Sequence, residues 1–516
     1  MTSDSKSNDQ ARRRSASACS NGEVKSSEIL HQNGHVFSRG SVAEVYALRD
    51  MASEDDIDVV PEVGVIEKDD ESEEDGSSTA VPEESLWSIF RQAVLPFLLA
   101  GLGTVCAGLV LDAVQYWPAF ITVTELFIVV PPLLGLKGNL EMTLAARLST
   151  QANLGQMDTF REQWNIALGN IALVQCQACV LSFLSSIFAI VMGLASDSSF
   201  QLDAAIFVAA CSMTTAAIAS FILGSIMIVV IIYSRKCRIN PDNIATSVVD
   251  ALGDLTTLAI LAGVSSLFFS RLEYPGITWT VVLCLLALLP LWIYIARKNP
   301  SSSNVLKVGW WPIITAMAIS SVGGYILDLA VTRFSGLAVF QPVINGVNGN
   351  LAAIHASRMS TMFAQRSTLG IHPEEDSQYC VDPFTGLCRT NRQARISQLL
   401  VVLSIPGHII FVFLIYIISA GRAPLTPALI FAYLTASLVL LLILLYLARC
   451  GTYWMWRRKI DPDNAIIPLL TGLGDMLGTA LLFLAFLFLA AIGDTSVVND
   501  LGLPHVNKNE TVVHLV

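Results

Sequence analysis

Charge is what this sequence lacks. Only 14% of its 516 residues are Asp, Glu, Lys or Arg, against about 25% in an ordinary soluble domain. So little charge cannot cover a water-facing surface, which excludes a cytosolic enzyme and a nucleic-acid-binding protein. Histidine is scarce, with seven residues, and the ten cysteines are scattered rather than spaced as a framework. A secreted disulfide scaffold is therefore excluded, and a soft-metal centre is short of ligands. Cys176-Gln-Ala-Cys179 has redox or zinc spacing but lies inside an apolar run, where free Cys acts as a small hydrophobe. The N-terminal stretch lacks an apolar core, so no signal peptide is expected, and its acids argue against a mitochondrial presequence.

Apolar residues are what is there: 53% of the chain, with a mean hydropathy of +0.59. The net charge of −11 belongs to residues 1–85, which hold 8 Lys/Arg and 20 Asp/Glu. That segment is too poor in apolar residues to offset ordering entropy and reads as a disordered, acidic cytoplasmic tail. Arg12-Arg13-Arg14 followed by Ser15 and Ser17 makes the two serines a candidate kinase site. From Leu86 onward, eleven apolar stretches can each cross about 30 Å of hydrocarbon. They run 88–115, 124–147, 166–195, 204–233, 244–270, 276–296, 308–332, 337–361, 397–420, 424–448 and 465–492. Lipid offers no partners to an open backbone, so each is expected to be helical. The fold class is an all-α polytopic membrane protein of about eleven transmembrane helices. An inside N-terminus places seventeen Lys/Arg in inner loops and four in outer ones, as the positive-inside bias requires. The C-terminus then lies outside, where the one N-x-S/T sequon, Asn509-Glu-Thr511, falls.

The chain is internally duplicated. Pro96, Gly108 and Asp112 match Pro312, Gly324 and Asp328 at an offset of 216. Gly135-Leu-Lys-Gly-Asn-Leu…Arg147-Leu-Ser-Thr150 matches Gly346-Val-Asn-Gly-Asn-Leu…Arg358-Met-Ser-Thr361 at 211. Asn240-Pro-Asp-Asn243…Leu252-Gly-Asp-Leu255 matches Asp461-Pro-Asp-Asn464…Leu473-Gly-Asp-Met476 at 221. Two five-helix repeats are expected, 86–275 and 306–493. A linker helix at 276–298 joins them, and a short outer tail follows at 494–516. Five spans is an odd number, so the extra linker crossing makes both repeats enter from the same side. They are expected to be parallel about an axis along the membrane normal, an arrangement that places transporter sites at the repeat interface.

Ionisable residues inside spans are costly and mark function. Asp254 and Asp475 lie twelve residues after Asp242 and Asp463, about 18 Å along a helix and so near mid-membrane. Asn243 and Asn464 neighbour the earlier pair. Asp250 sits at i,i+4 from Asp254, on one helix face. Asn139 and Asn350 lie in Gly-rich stretches expected to break their spans and free carbonyls for a polar path. Asp112, Asp328 and Glu125 are expected at the outer mouth, where they would concentrate cations. Two carboxylates facing each other across a pseudo-two-fold suit Mg²⁺, which keeps its waters and takes one or two carboxylates. Asp254, Asp475 and Asp250 are therefore the candidate metal ligands, with Mg²⁺ as cargo and no resident cofactor.

At these residues the sequence resembles the MgtE-type magnesium transporters, and most of all their eukaryotic relatives with two fused repeats, solute carrier family 41. The resemblance covers about residues 86–492 and rests on the runs at 135–150 and 342–351 and on the paired P-D-N…L-G-D motifs. It implies Mg²⁺ transport with Asp254 and Asp475 as ion ligands. For some members it implies Na⁺-dependent Mg²⁺ efflux, in the plasma membrane or the mitochondrial inner membrane, the former being expected here. The sequence departs from the family pattern at Asp250, usually a small residue, and at Asn348, usually Gly. A divalent channel or a carrier of broader selectivity is the alternative. An intramembrane aspartyl protease is the rival from another class, because Gly472-Leu-Gly-Asp475 spells G-x-G-D and Pro427-Ala-Leu429 spells P-A-L. The order of the two motifs is reversed here, and a duplicated G-D motif has no use in proteolysis, so the chain is expected not to be an enzyme.

Overall fold

A computed structural model describes residues 86–497, apart from 154–156, 158, 197–201, 237–240, 272–274, 335 and 372–391. The expected acidic tail with Ser15 and Ser17, and the outer tail from 498 with its sequon, lie outside the described residues. For residues 241–251 and Asp463 only the backbone is described. Regular structure among the described residues is helical. The helices are α1 (Leu86–Val114), α2 (Pro118–Thr122), α3 (Glu125–Asn153), α4 (Phe160–Ser196), α5 (Leu202–Lys236), α6 (Pro241–Phe269), α7 (Pro275–Lys298), α8 (Pro300–Val308), α9 (Trp310–Val331), α10 (Leu337–Arg366), α11 (Arg392–Ile418), α12 (Pro427–Arg457) and α13 (Pro462–Ala491). A 3₁₀ turn at Thr495–Val497 follows.

Nine of these helices are long and apolar enough to cross a membrane: α1, α4, α5, α6, α7, α9, α11, α12 and α13. The expected second and eighth spans are α3 and α10, helices of 29 and 30 residues that fall outside that set. Their Gly, Asn and Gln residues dilute the apolar content, and both are largely buried among other helices. One expectation is corrected here. The Gly-rich stretches around Asn139 and Asn350 do not break their helices, because α3 and α10 run unbroken through Gly135, Gly138, Gly346 and Gly349. Gly135 and Gly346 serve instead to let neighbouring helices approach, whereas a Cβ on Gly138 or Gly349 would meet nothing within 4 Å.

Helix association in lipid has no hydrophobic drive, so it depends on small residues that admit close backbone contact. The packing shows this twice, in exchanged form. α1 packs on α6 and on α10, while α9 packs on α13 and on α3. A Cβ placed on Gly108 of α1 would collide with the backbone carbonyl of Val339 in α10, and one on Gly324 of α9 with that of Ile128 in α3. Gly108 matches Gly324 at the offset of 216, and Ile128 matches Val339 at 211. Each half thus lends its α1-type helix to the other half's α3-type helix. α7 packs only against α4 and α5 among the larger contacts. Its apolar window is just 11% buried, so it is peripheral. Its outward Leu283, Leu291 and Tyr294 are exposed, a distribution suited to lipid rather than water.

Candidate functional site

The exchanged packing delivers the two mid-helix carboxylates to matching settings. Asp254 of α6 is 9% exposed and Asp475 of α13 is 7% exposed. A Cβ on Gly135 of α3 would lie 3.0 Å from Asp475 Oδ2, and one on Gly346 of α10 would lie 3.6 Å from Asp254 Oδ2. Gly135 and Gly346 are themselves a matched pair, and each faces the carboxylate of the opposite half. Four helices, α3, α6, α10 and α13, therefore converge on two acids, with bare backbone beside each.

The surroundings of Asp475 are polar and well defined. Ser320 of α9 donates its hydroxyl to Asp475 Oδ2. Asn345 of α10 donates to the Asp475 carbonyl at 3.2 Å and to Thr479 Oγ1 at 3.1 Å. Gln341 reaches the same Thr479 hydroxyl at 3.5 Å. A cleft lined by Gly135, Asn139, Met317, Ser320 and Gly472 opens beside this group. It lies at the middle of α3, and the Oδ1 atom of Asn139 is buried with no hydrogen-bond donor. Beyond it, Asn348 donates to Ile344 O at 2.8 Å and to Ser437 Oγ at 3.0 Å. That leaves the Asn348 carbonyl oxygen to accept from His408 Nε2 at 3.4 Å, and the other ring nitrogen accepts from the Tyr433 hydroxyl at 3.0 Å.

The other sequence-expected residues separate into groups. Asn350 is half-buried on α10, one residue past Gly349. Asn464, expected along the pathway, is exposed at the start of α13 and donates to Asp461 at 2.7 Å. Asp242, Asn243, Asp250 and Asp463 are described by backbone alone, in α6 and α13. Asp112 and Asp328 lie near the C-terminal ends of α1 and α9, both half-buried. Asp112 accepts from Gln115 at 2.8 Å. Glu125 opens α3 and sits against Gly193 of α4, where a Cβ would be 3.0 Å from Glu125 Cγ. His355 is fully buried and contacts Ser397 at 3.3 Å.

Among the described residues no group of three or more His, Cys, Asp or Glu is assembled. A cation between Asp254 and Asp475 would have to complete its shell with waters, hydroxyls and carbonyls. A hard, hydrated divalent ion is suited to that, and a soft one is not. Sequence reasoning passed over Ser320, Gln341, Asn345, Thr479 and His408. The Thr104/Ser320 match at the 216 offset was a signal open to it.

Helical spans that pack in exchanged pairs around buried, duplicated carboxylates define a multi-pass integral membrane protein built for cations. The family model described as MgtE, divalent cation transporter, matches the chain twice, over residues 130–264 and 341–485. Solute carrier family 41 member 2 of Xenopus laevis is 47% identical over 437 residues, covering 83% of this chain and 78% of that protein. The Homo sapiens member 2 is also 47% identical over 437 residues, covering 83% of this chain and 76% of its own length. Solute carrier family 41 member 3 of Rattus norvegicus is 44% identical over 413 residues, covering 80% and 89%. No solved structure matches the chain. The chain belongs to the MgtE-type divalent cation transporters, and within them to solute carrier family 41.

Proposed function

We propose that this protein moves Mg²⁺ across a membrane along a path between α3, α6, α10 and α13, with Asp254 and Asp475 as its ion ligands and Na⁺-coupled efflux as its direction of work. The observation that supports this most is the convergence of four helices on both carboxylates, each carboxylate lying against a glycine of the opposite half. Two negative charges in low dielectric are unfavourable alone and favourable around a divalent cation. Asn139 and Asn350 would offer amide oxygens to the ion's waters. Asp250, one turn before Asp254, would supply a further cation position in the first half only, since Thr471 stands at the matching place. Asp112, Asp328 and Glu125 would draw cations to the outer end. In this reading the N-terminus is cytoplasmic, the C-terminus is outside and the membrane is the plasma membrane.

Sealed proteoliposomes holding the purified protein test this directly. Mg²⁺ flux that rises with an opposed Na⁺ gradient is expected. Flux of equal size without Na⁺ would replace exchange by a channel or an uncoupled carrier. Flux of Mn²⁺, Co²⁺ or Ca²⁺ at the same rate would replace Mg²⁺ selectivity by a broader one. Absence of any divalent flux from correctly inserted protein would overturn the reading.

A further inference from the structure

The two halves place a hydroxyl at the same position of the same helix, Thr104 in α1 and Ser320 in α9, yet use it differently. Ser320 donates across the helix interface to Asp475. Thr104 turns back and donates to Gly101 O in its own helix at 2.9 Å. The cause is legible in the interface. α9 and α13 meet through Gly323 and Gly472. A Cβ on Gly323 would lie 2.8 Å from the Asp475 carbonyl oxygen, and one on Gly472 would lie 2.6 Å from Ala316 O. The positions that match these glycines are Ala107 in α1 and Ala251 in α6. Two methyl groups thus stand in the sequence where the second half has bare backbone. Between α9 and α13 that close approach brings a short serine side chain to the acid.

Resting on the reading of Asp475 as an ion ligand, we propose that Ser320 is a positioning residue for that carboxylate, so that the two halves of the ion site are inequivalent. Ser320, Gly135 and Asp475 meet at one point, since a Cβ on Gly135 would be 3.0 Å from Asp475 Oδ2 and 3.5 Å from Ser320 Oγ. The hydroxyl fixes one carboxylate oxygen, Oδ2, against α9. It also satisfies a buried anion while no cation is present, where an unmatched charge would be strongly unfavourable. In the first half the matching hydroxyl of Thr104 is committed to Gly101 O. Asp254 takes its orientation from other contacts, so loss of the Thr104 hydroxyl is expected to leave ion binding as it was.

The test is Mg²⁺ flux against Mg²⁺ concentration in proteoliposomes for the wild type, Ser320→Ala, Ser320→Thr, Thr104→Ala and Asp475→Asn, each at matched protein abundance. Ser320→Ala is expected to raise the half-saturating Mg²⁺ about fivefold, the scale of one hydrogen bond to a charged group, with maximal flux within about twofold. Ser320→Thr keeps the hydroxyl and is expected to restore the wild-type value, which a role in packing alone would not produce. Thr104→Ala is expected to stay within about twofold of wild type. Wild-type half-saturation in Ser320→Ala overturns the proposal, as does an equal shift in Thr104→Ala. Asp475→Asn separates this from the parent reading. Lost flux there with a silent Ser320→Ala removes only the serine's role, whereas retained flux in Asp475→Asn removes the ligand assignment and the serine's role together.

Discussion

In the second half of the membrane body a run of polar side chains on α10 forms hydrogen bonds around the acid, where the first half carries mostly apolar residues at the matching positions. In the second, Gln341, Asn345 and Asn348 line one stretch of α10 and bond to Thr479, Asp475, Ser437 and His408. The matching positions of α3 are Val130, Leu134 and Lys137, and Val130 is wholly buried in the apolar core. Apolar packing in lipid tolerates sliding, because neighbouring surfaces differ little from lipid tails. A satisfied buried polar network does not, because any shift leaves a donor or acceptor unmatched. Duplication therefore kept the acid and the glycine that faces it, and left the rest of each shell free to diverge. α10 is pinned to α11, α12 and α13 by these bonds, which the matching Val130 and Leu134 of α3 have no polar atoms to make.

The shared part of the comparison carries the largest expected effect. Asp254→Asn and Asp475→Asn should each reduce Mg²⁺ flux by about a hundredfold or more, because one remaining carboxylate under-neutralises a dehydrating divalent ion. Flux in proteoliposomes at matched abundance checks it. A large loss in one variant and a small loss in the other would break the equivalence of the two halves at its centre.

Next come the paired close approaches. Gly108→Ala and Gly324→Ala each drive a methyl group into a backbone carbonyl, of Val339 and Ile128 respectively. A backbone carbonyl cannot rotate away as a side chain can, so each change should cost about 2 kcal/mol or more. Thermal unfolding in detergent should show falls of similar size. If only one variant is destabilised, the exchanged packing is not balanced.

The polar shell of the second half gives a smaller effect. Asn348→Leu leaves His408 without its acceptor and Ser437 without its donor, at a cost of about 1–3 kcal/mol. Combined with His408→Phe, the losses should fall short of additivity by about 0.5–3 kcal/mol, as expected for groups in one network. Additive losses in thermal unfolding would show that the two side chains act separately.

Composition and periodicity made the helical membrane class legible, because lack of charge and long apolar runs leave no other solution. Offset matching picked out Asp254, Asp475, Gly135 and Gly346 as pairs, and the structure sets each glycine beside an acid. What stayed hidden was which half's glycine faces which acid. A linear repeat shows what is equivalent, and only the packing of α1 on α10 and α9 on α3 shows that partners are exchanged. Gly135 and Gly346 pointed to broken helices because glycine lowers helix propensity. Tertiary contact overrode that, since a glycine facing a packed neighbour is kept in its helix by the approach it permits. The hydroxyls escaped notice because Ser and Thr are cheap to place in a span, where they bond to their own helix as Thr104 does.

The smallest effect lies where the two halves end differently. After α6 the chain goes on into α7, whereas after α13 it turns at Gly493, with φ of 83°, and Asp494 clasps the start of α12. Ser496 donates to Asp494 through its hydroxyl at 2.6 Å and its backbone N–H at 3.1 Å, and Thr426 donates at 2.7 Å while capping Leu429 N. These bonds, that of the Ser496 side chain foremost and that of Thr426 next, hold the Asp494 carboxyl below its usual range. A carboxylate with a lowered folded value stabilises the fold above its unfolded value, and that contribution fades as the pH falls through the lowered one. Wild type should therefore unfold about 1–2 °C above Asp494→Ala near pH 7. The gap should narrow as the pH is brought below the ordinary carboxylate range of about 4. A gap that stays constant down to pH 3 would show that the clasp works through packing rather than charge, and the end of the second half would then be no more pH-sensitive than the end of the first.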